Sequence, residues 1–90
     1  MPLLTRIALD VLKPHIPNAL EFANAISENS PGCKITVTVI EVDEKTETTM
    51  VTIEGDNIDY DKIVNSVTTL GGSIHSIDEV TVSNFIQEAE

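Results

Sequence analysis

The feature that most constrains the fold of this chain is the order of its strand-like and helix-like segments. The two kinds of segment differ in the spacing of their apolar residues. Apolar and polar residues alternate over residues 4–12, 34–43 and 47–54, the pattern of half-buried strands. Residues 73–82 form a fourth segment rich in Ile and Val. Two other segments, after Pro17 and after Asp59, space their apolar residues as one face of a helix does. The predicted order is strand, helix, strand, strand, helix, strand.

This order predicts a ferredoxin-like α+β sandwich, with a four-stranded antiparallel sheet and two helices on one face. Right-handed crossovers then give the spatial strand order 4-1-3-2, and residues 1–90 form a single domain. Pro17 suits the first turn of the first helix. Asp59 is expected to cap the second helix, with Ile58 and Ile63 as its hydrophobic staple, and Gly71 and Gly72 end it.

The alternation also assigns the two faces of the sheet. A three-residue hairpin loop, residues 44–46, would pair Val39 with Val51 and Val37 with Ile53. The first and third strands run antiparallel, so Arg6 and Glu54 should pair across the open face. The expected core face holds Ile7, Leu9, Val11, Val37, Val39, Val51 and Ile53. The expected open face holds Arg6, Ala8, Asp10, Leu12, the threonines, Ile40, Val42, Met50 and Glu54.

Composition excludes several classes of partner. Fifteen acidic residues against five basic ones give a net charge of −10, and no basic run is present. Nucleic acids and anionic membranes are bound through positive charge, so neither is expected as a partner. Cys33 is the only cysteine, which is typical of a reducing compartment. The first residues do not resemble a signal peptide, and no apolar run is long enough to span a membrane, so we expect a cytoplasmic protein.

Residues 73–80, SIHSIDEV, gather a serine, a histidine and two acids, which suggests a catalytic triad. A triad requires the three side chains to converge, whereas consecutive strand residues point to opposite faces. Regular alternation therefore separates His75 from both Ser76 and Asp78. The three-residue spacing of Ile74, Ile77 and Val80 breaks that alternation and predicts a β-bulge near His75–Asp78.

Metal binding is the better chemical hypothesis for this region. The start of the fourth strand should lie beside the end of the first, which brings Asp10, His15 and His75 to one end of the sheet, with Asp78 further along. Asp10, His75 and Asp78 are therefore the predicted ligands. Carboxylates and carbonyls suit Ca²⁺ or Mg²⁺, and the addition of histidine suits a transition metal. Residues 56–61 do not follow the calcium-loop pattern.

Several strings resemble a known family. They are LDVLKPHIP at residues 9–17, EFA at 21–23, VTIEG at 51–55 and GGSIHSIDEV at 71–80. They are similar to a small, mainly archaeal family known only as domain of unknown function 211. The resemblance covers almost the whole chain. It implies a ferredoxin-like fold, a ring-like homo-oligomer and an archaeal cytoplasmic protein, and it implies no reaction.

Three functions remain open. The first is an acidic, self-assembling, non-enzymatic binding module that holds a divalent cation or a small ligand at subunit contacts. Leu12, Ile40, Val42 and Met50 make the open face apolar and favour self-association. The second is a regulatory domain that senses a small molecule, by fold analogy. The third is a hydrolase or other enzyme with His75 or His15 as general base. Each histidine also has a structural interpretation, in which His15 bonds a loop carbonyl and His75 bonds a neighbouring strand or subunit.

Overall fold

A computed structural model of the protein describes residues 2–84. The remainder of the expected domain, Met1 and residues 85–90, lies outside the described residues. The elements are β1 (Leu3–Pro14), α1 (Ala19–Glu28), β2 (Lys34–Val42), β3 (Thr46–Glu54), α2 (Tyr60–Thr69) and β4 (Ser73–Ser83). The sheet order is β2-β3-β1-β4, and the three pairings are antiparallel. The predicted ferredoxin-like α+β fold and its strand order are confirmed.

One aliphatic core lies between the sheet and the two helices. Side chains from α1 and α2 join the same buried cluster as alternate residues of β1 and β3, so both helices cover one face. The cluster comprises Ile7, Leu9, Val11, Phe22, Ile26, Val51, Ile53, Ile58, Ile63 and Val67. Two residues expected there are less buried, because β2 is an edge strand. Val37 is half-buried and Val39 is exposed.

The first helix begins later than its proline suggested. Asn18 is the N-cap, and its side chain accepts from the Glu21 amide while the Glu21 carboxylate accepts from the Asn18 amide. This reciprocal capping box satisfies two amides that the helix itself leaves without partners. Pro17 therefore precedes the helix instead of lying in its first turn, and the prediction for Pro17 was wrong.

The second helix begins and ends as the sequence predicted. Asp59 is the N-cap, and Ile58 and Ile63 are both buried. Gly71 follows the helix with a φ of +88°, a left-handed conformation that favours glycine. A Cβ atom at Gly72 would lie 2.9 Å from a Val67 methyl carbon and 3.2 Å from Cζ of Phe22. The turn into β4 therefore has no room for a side chain at Gly72.

The β2–β3 hairpin has a different register from the predicted one. Val37 pairs with Val51, and Val39 pairs with Thr49, a shift of two residues. A bulge at Ile40 then changes the register, so that Val42 pairs with Glu47. A shift of two leaves the faces of the earlier residues unchanged, because side chains alternate with period two. The bulge moves Val42 to the helix-covered side, so its expected place on the open face was wrong.

Strand β4 contains two β-bulges in the region where the sequence predicted one. Ile74, Ile77 and Val80 pair with the alternate β1 residues Val11, Leu9 and Ile7. The register shifts leave one extra β4 residue in each interval, His75 in the first and Asp78 in the second. The two bulges thus allow apolar residues that are three apart on β4 to pair with residues that are two apart on β1.

The sheet extends beyond the helices that cover it. Each helix has 10 residues and so measures about 15 Å, whereas the 12 residues of β1 measure roughly 40 Å. The molecule is elongated, with extents of 51 × 23 × 20 Å. Parts of both edge strands consequently have no helix above them.

Candidate functional site

The three predicted metal ligands lie on neighbouring strands but do not form a closed group. Asp10 pairs with Ser76 across β1 and β4, while His75 and Asp78 are the two bulge residues on either side. Asp10 is half-buried, and His75 and Asp78 are exposed. Among residues 2–84 no three His, Cys, Asp or Glu side chains come together so that they could hold a metal ion. Metal binding by Asp10, His75 and Asp78 stays a prediction.

The same segment makes one close polar contact. Ser76 Oγ donates to Asp78 Oδ1 over 2.6 Å. The two residues are separated by Ile77, in the bulged part of β4. The bond ties the serine hydroxyl directly to a carboxylate, whereas a nucleophilic serine is activated by a base such as imidazole. The geometry is that of a polar edge strand.

A partly buried ionic cluster, Lys13–Glu47–His15, lies at the C-terminal end of β1. The Lys13 side chain is completely buried, under the ring of Phe22, with Nζ 5.7 Å from the ring centre. Nζ donates to Glu47 Oε1 over 2.9 Å and to the Pro14 carbonyl over 2.8 Å. A buried ammonium needs such partners, because it has lost its hydration.

Glu47 connects this lysine to His15. Glu47 Oε2 lies 3.0 Å from His15 Nδ1, and His15 Nε2 lies 3.0 Å from the carbonyl oxygen of Glu44. The bond to a loop carbonyl confirms the structural interpretation of His15. With both ring nitrogens engaged, His15 has no free nitrogen with which to act as a general base.

The cluster perturbs both titrating groups in the directions that its contacts require. The hydrogen bond that His15 donates to Glu47, followed by the one to the Glu44 carbonyl, raises the pKa of His15. The hydrogen bonds from His15 and then Lys13 lower the pKa of Glu47. Each charged form is therefore favoured by the other.

Lys13 and Glu47 were not among the predicted site residues, although the sequence carries a signal for both. Lys13 continues the series Ile7, Leu9 and Val11, the odd-numbered positions of β1 that are buried in the core. The expected pairing of Arg6 with Glu54 is confirmed, and the same register, followed along the strands, places Lys13 opposite Glu47. Their charges argue against burial, and so they conceal this periodicity.

A second set of charges crosses the open face at the other end of the sheet. Arg6 bonds to Glu54 on β3 and, over 3.2 Å, to Glu79 on β4. Lys34 on β2 lies 4.0 Å from Glu54. The set links all four strands, but its side chains are well exposed, so it adds little stability.

Both edge strands expose apolar side chains. The β2 patch consists of Val39, Ile40 and Val42, and the β4 patch consists of Ile77, Val80 and Val82. Exposure ranges from 40% to 63% of each residue. Val42 pairs with Glu47 on β3, level with Lys13 near the end of β1, whereas Val80 and Val82 pair with Ile7 and Leu4 in the first half of β1. The patches therefore occupy opposite corners of the sheet.

A shallow groove separates the two helices. It has a volume of about 370 Å³ and is lined mainly by polar side chains, among them Asn29, Lys62 and Asn65. A smaller hollow of about 140 Å³ lies at the other side of Lys62, where Ser30 and Cys33 line it. The Ser30 hydroxyl is buried and makes no hydrogen bond. Burial raises the pKa of the Cys33 thiol and so disfavours a thiolate nucleophile.

The described helices include none that is long and apolar enough to cross a membrane.

Two comparisons with known proteins agree with each other. The family model for domain of unknown function 211, described as uncharacterized ArCR, matches residues 5–90. An uncharacterized protein of Methanocaldococcus jannaschii is 46% identical over 83 residues, which cover 92% of this chain and 86% of that protein.

Proposed function

The chain belongs to the domain of unknown function 211 family of uncharacterized proteins, and from that premise we propose that it is a non-enzymatic, self-assembling binding module. Copies associate head to tail, with the β2 patch of one copy against the β4 patch of the next. The observation that carries this proposal is the pair of uncovered apolar patches at opposite corners of the sheet.

The position of the patches allows each copy to contact two neighbours, and we propose that the series closes into a ring. An interface that joins two different surfaces is heterologous, and each copy then keeps one free patch of each kind. Addition of further copies continues until the first and the last meet. Val39, Val42, Ile77 and Val80 all point to the helix-covered side, since their partners on β3 and β1 do. Apolar contact with a neighbour would remove these side chains from water, which stabilises an assembly of small domains.

The charge of the chain supports a cation at these contacts. Acidic residues flank both patches, Glu41 and Asp43 beside the first and Asp78 and Glu79 beside the second. Head-to-tail contact would bring carboxylates of two copies close together. A divalent cation such as Ca²⁺ or Mg²⁺ would offset their repulsion, with Asp10, His75 and Asp78 as ligands that a second copy completes.

Charged substitutions in the patches test the assembly. We expect Val42→Glu and Val80→Glu each to lower the average mass measured by light scattering, because each places a carboxylate in an apolar contact. The matched control is Leu20→Glu, which adds the same charge at an apolar α1 residue that is 69% exposed. If wild type has the 9.8 kDa mass of one chain at micromolar concentration, the proposal is wrong.

Thermal melts test the cation. Specific binding to the folded form raises the melting temperature as ion concentration rises. We expect such a rise with Ca²⁺ or Mg²⁺ after chelator treatment, and its loss in Asp78→Asn. Asp61→Asn, in the first turn of α2, is the control. Equal melting temperatures with chelator and with each ion would exclude the cation.

A second candidate function, a domain that senses a small molecule, is favoured by the groove between the helices. Lys62 offers an ammonium between the two hollows, and Ser30 offers a buried hydroxyl that lacks a partner. A small anion such as a carboxylate fits these groups. Calorimetry with a series of small carboxylates tests this function, and binding that survives Lys62→Met would contradict it.

A further inference from the structure

His15 holds the β2–β3 hairpin to the end of β1 through two hydrogen bonds. One goes to the Glu47 side chain on β3, and the other goes to the backbone of Glu44 in the hairpin loop, each over 3.0 Å. The loop itself is closed by the amide of Asp43, which donates to the Thr46 carbonyl over 2.8 Å. His15 therefore bridges the loop of the hairpin and the start of β3 from outside the hairpin.

This geometry requires a protonated ring. A carbonyl oxygen and an ionised carboxylate only accept hydrogen bonds, so both ring nitrogens must donate. A neutral imidazole has one N–H group and can serve only one of the two acceptors. Its other nitrogen would turn a lone pair toward an oxygen, which is repulsive. The pair of contacts is thus specific to the imidazolium form.

The groups on the elements around His15 favour its protonated form. On β3, Glu47 accepts from His15, and its ionisation is itself supported by Lys13 on β1. In the hairpin loop, the carbonyls of Glu44 and Asp43 both favour the charged ring. The nearby residue of α1, Phe22, has no titratable group. The ammonium of Lys13 is paired with Glu47 Oε1, whereas His15 contacts the other carboxylate oxygen, Oε2.

We propose that His15 is a proton-dependent latch on the β2–β3 hairpin, closed when the imidazole is protonated and open when it is neutral. The open form keeps the bond to the Glu47 carboxylate and loses the bond to the Glu44 carbonyl, so the tip of the hairpin is released. The tip carries Val42, and the latch therefore controls the β2 patch. That last step rests on the proposed function, whereas the latch itself does not.

The sign of the pH dependence follows from the raised pKa of His15. A group whose pKa is higher in the closed form stabilises that form at pH values below its ordinary pKa, near 6.5. The stabilisation is lost as pH rises from that value through the raised one. Across this window the closed-to-open ratio falls about tenfold for each unit by which the pKa is raised.

Nuclear magnetic resonance tests the latch on the intact chain. We expect the ring nitrogens of His15 to titrate above pH 6.5, and hydrogen exchange of the Asp43 amide, corrected for its intrinsic pH dependence, to accelerate over the same range. His15→Gln should abolish the step, and His75→Gln should preserve it. Titration of His15 at or below the ordinary value, or an unchanged step in His15→Gln, would overturn the latch.

Light scattering across the same pH range separates the latch from its consequence. Weaker association above the pKa of His15 in wild type, with no such change in His15→Gln, supports both proposals. An exchange step together with a constant mass greater than one chain would leave the latch in place and overturn its link to the β2 patch. A single-chain mass at every pH would overturn the proposed assembly alone.

Discussion

At the residue scale, the cluster of Lys13, Glu47 and His15 shows how a charge can be part of a core. Lys13 occupies the next inward position of β1 after Val11, and its ammonium is satisfied by a carboxylate, a carbonyl and the face of an aromatic ring. Periodicity alone predicts that position, but residue type argues against burial, since lysine is almost never fully buried unless it is paired. The partner Glu47 follows from the same register that pairs Arg6 with Glu54, which the sequence already predicts.

We predict that Glu47→Gln destabilises the fold more than Lys13→Met does. Glu47→Gln leaves a buried ammonium without its counter-charge, which is the costly way to break such a pair. Lys13→Met removes the buried charge itself and keeps an apolar chain beneath Phe22, so the free energy of unfolding should change by only about 1 kcal/mol. Urea unfolding at one protein concentration measures both.

The control for this comparison is Glu54→Gln, at an exposed ion pair on the open face, which should have little effect. The opposite ranking, with Lys13→Met the more damaging change, would mean that the ammonium contributes more than its desolvation costs.

At the scale of elements, the period-two pattern predicted faces better than registers. The β2–β3 pairing was wrong by two residues because a shift of two leaves every side chain on the same face. The loop sequence, residues 43–46, has no glycine to specify one turn type. In β4, by contrast, Ile74, Ile77 and Val80 broke the period, and that break revealed an irregularity. Its two separate positions emerge only from the pairing with β1.

The cap of α1 gives a prediction at this scale. Asn18→Ala removes the side chain that accepts from the Glu21 amide, and should cost about 1 kcal/mol. For a domain of this size that lowers the melting temperature by roughly 4–8 °C. Asn24→Ala, at an exposed interior position of the same helix, is the matched control and should slightly stabilise the helix. Equal effects of the two substitutions would show that the cap contributes nothing.

At the scale of the whole molecule, topology was predictable and function was not. The order of strands and helices allows few sheet topologies, because crossovers must be right-handed. The observed topology is one of them. Which apolar residues remain uncovered depends on helix and strand lengths together. Val39 was expected in the core. For Ile77 and Val80, the spacing of apolar residues gives no sign that the side chains are exposed. Their exposure comes from helices of 10 residues on strands of up to 12.

A mixing experiment tests the head-to-tail assembly most directly. Val42→Glu keeps its β4 patch, and Val80→Glu keeps its β2 patch. If the two patches bind each other, each variant alone stays close to the 9.8 kDa mass of one chain, and an equimolar mixture forms a one-to-one heterodimer of twice that mass, seen by native mass spectrometry. A mixture that stays monomeric, or a homodimer of either variant alone, would contradict head-to-tail association through these two surfaces.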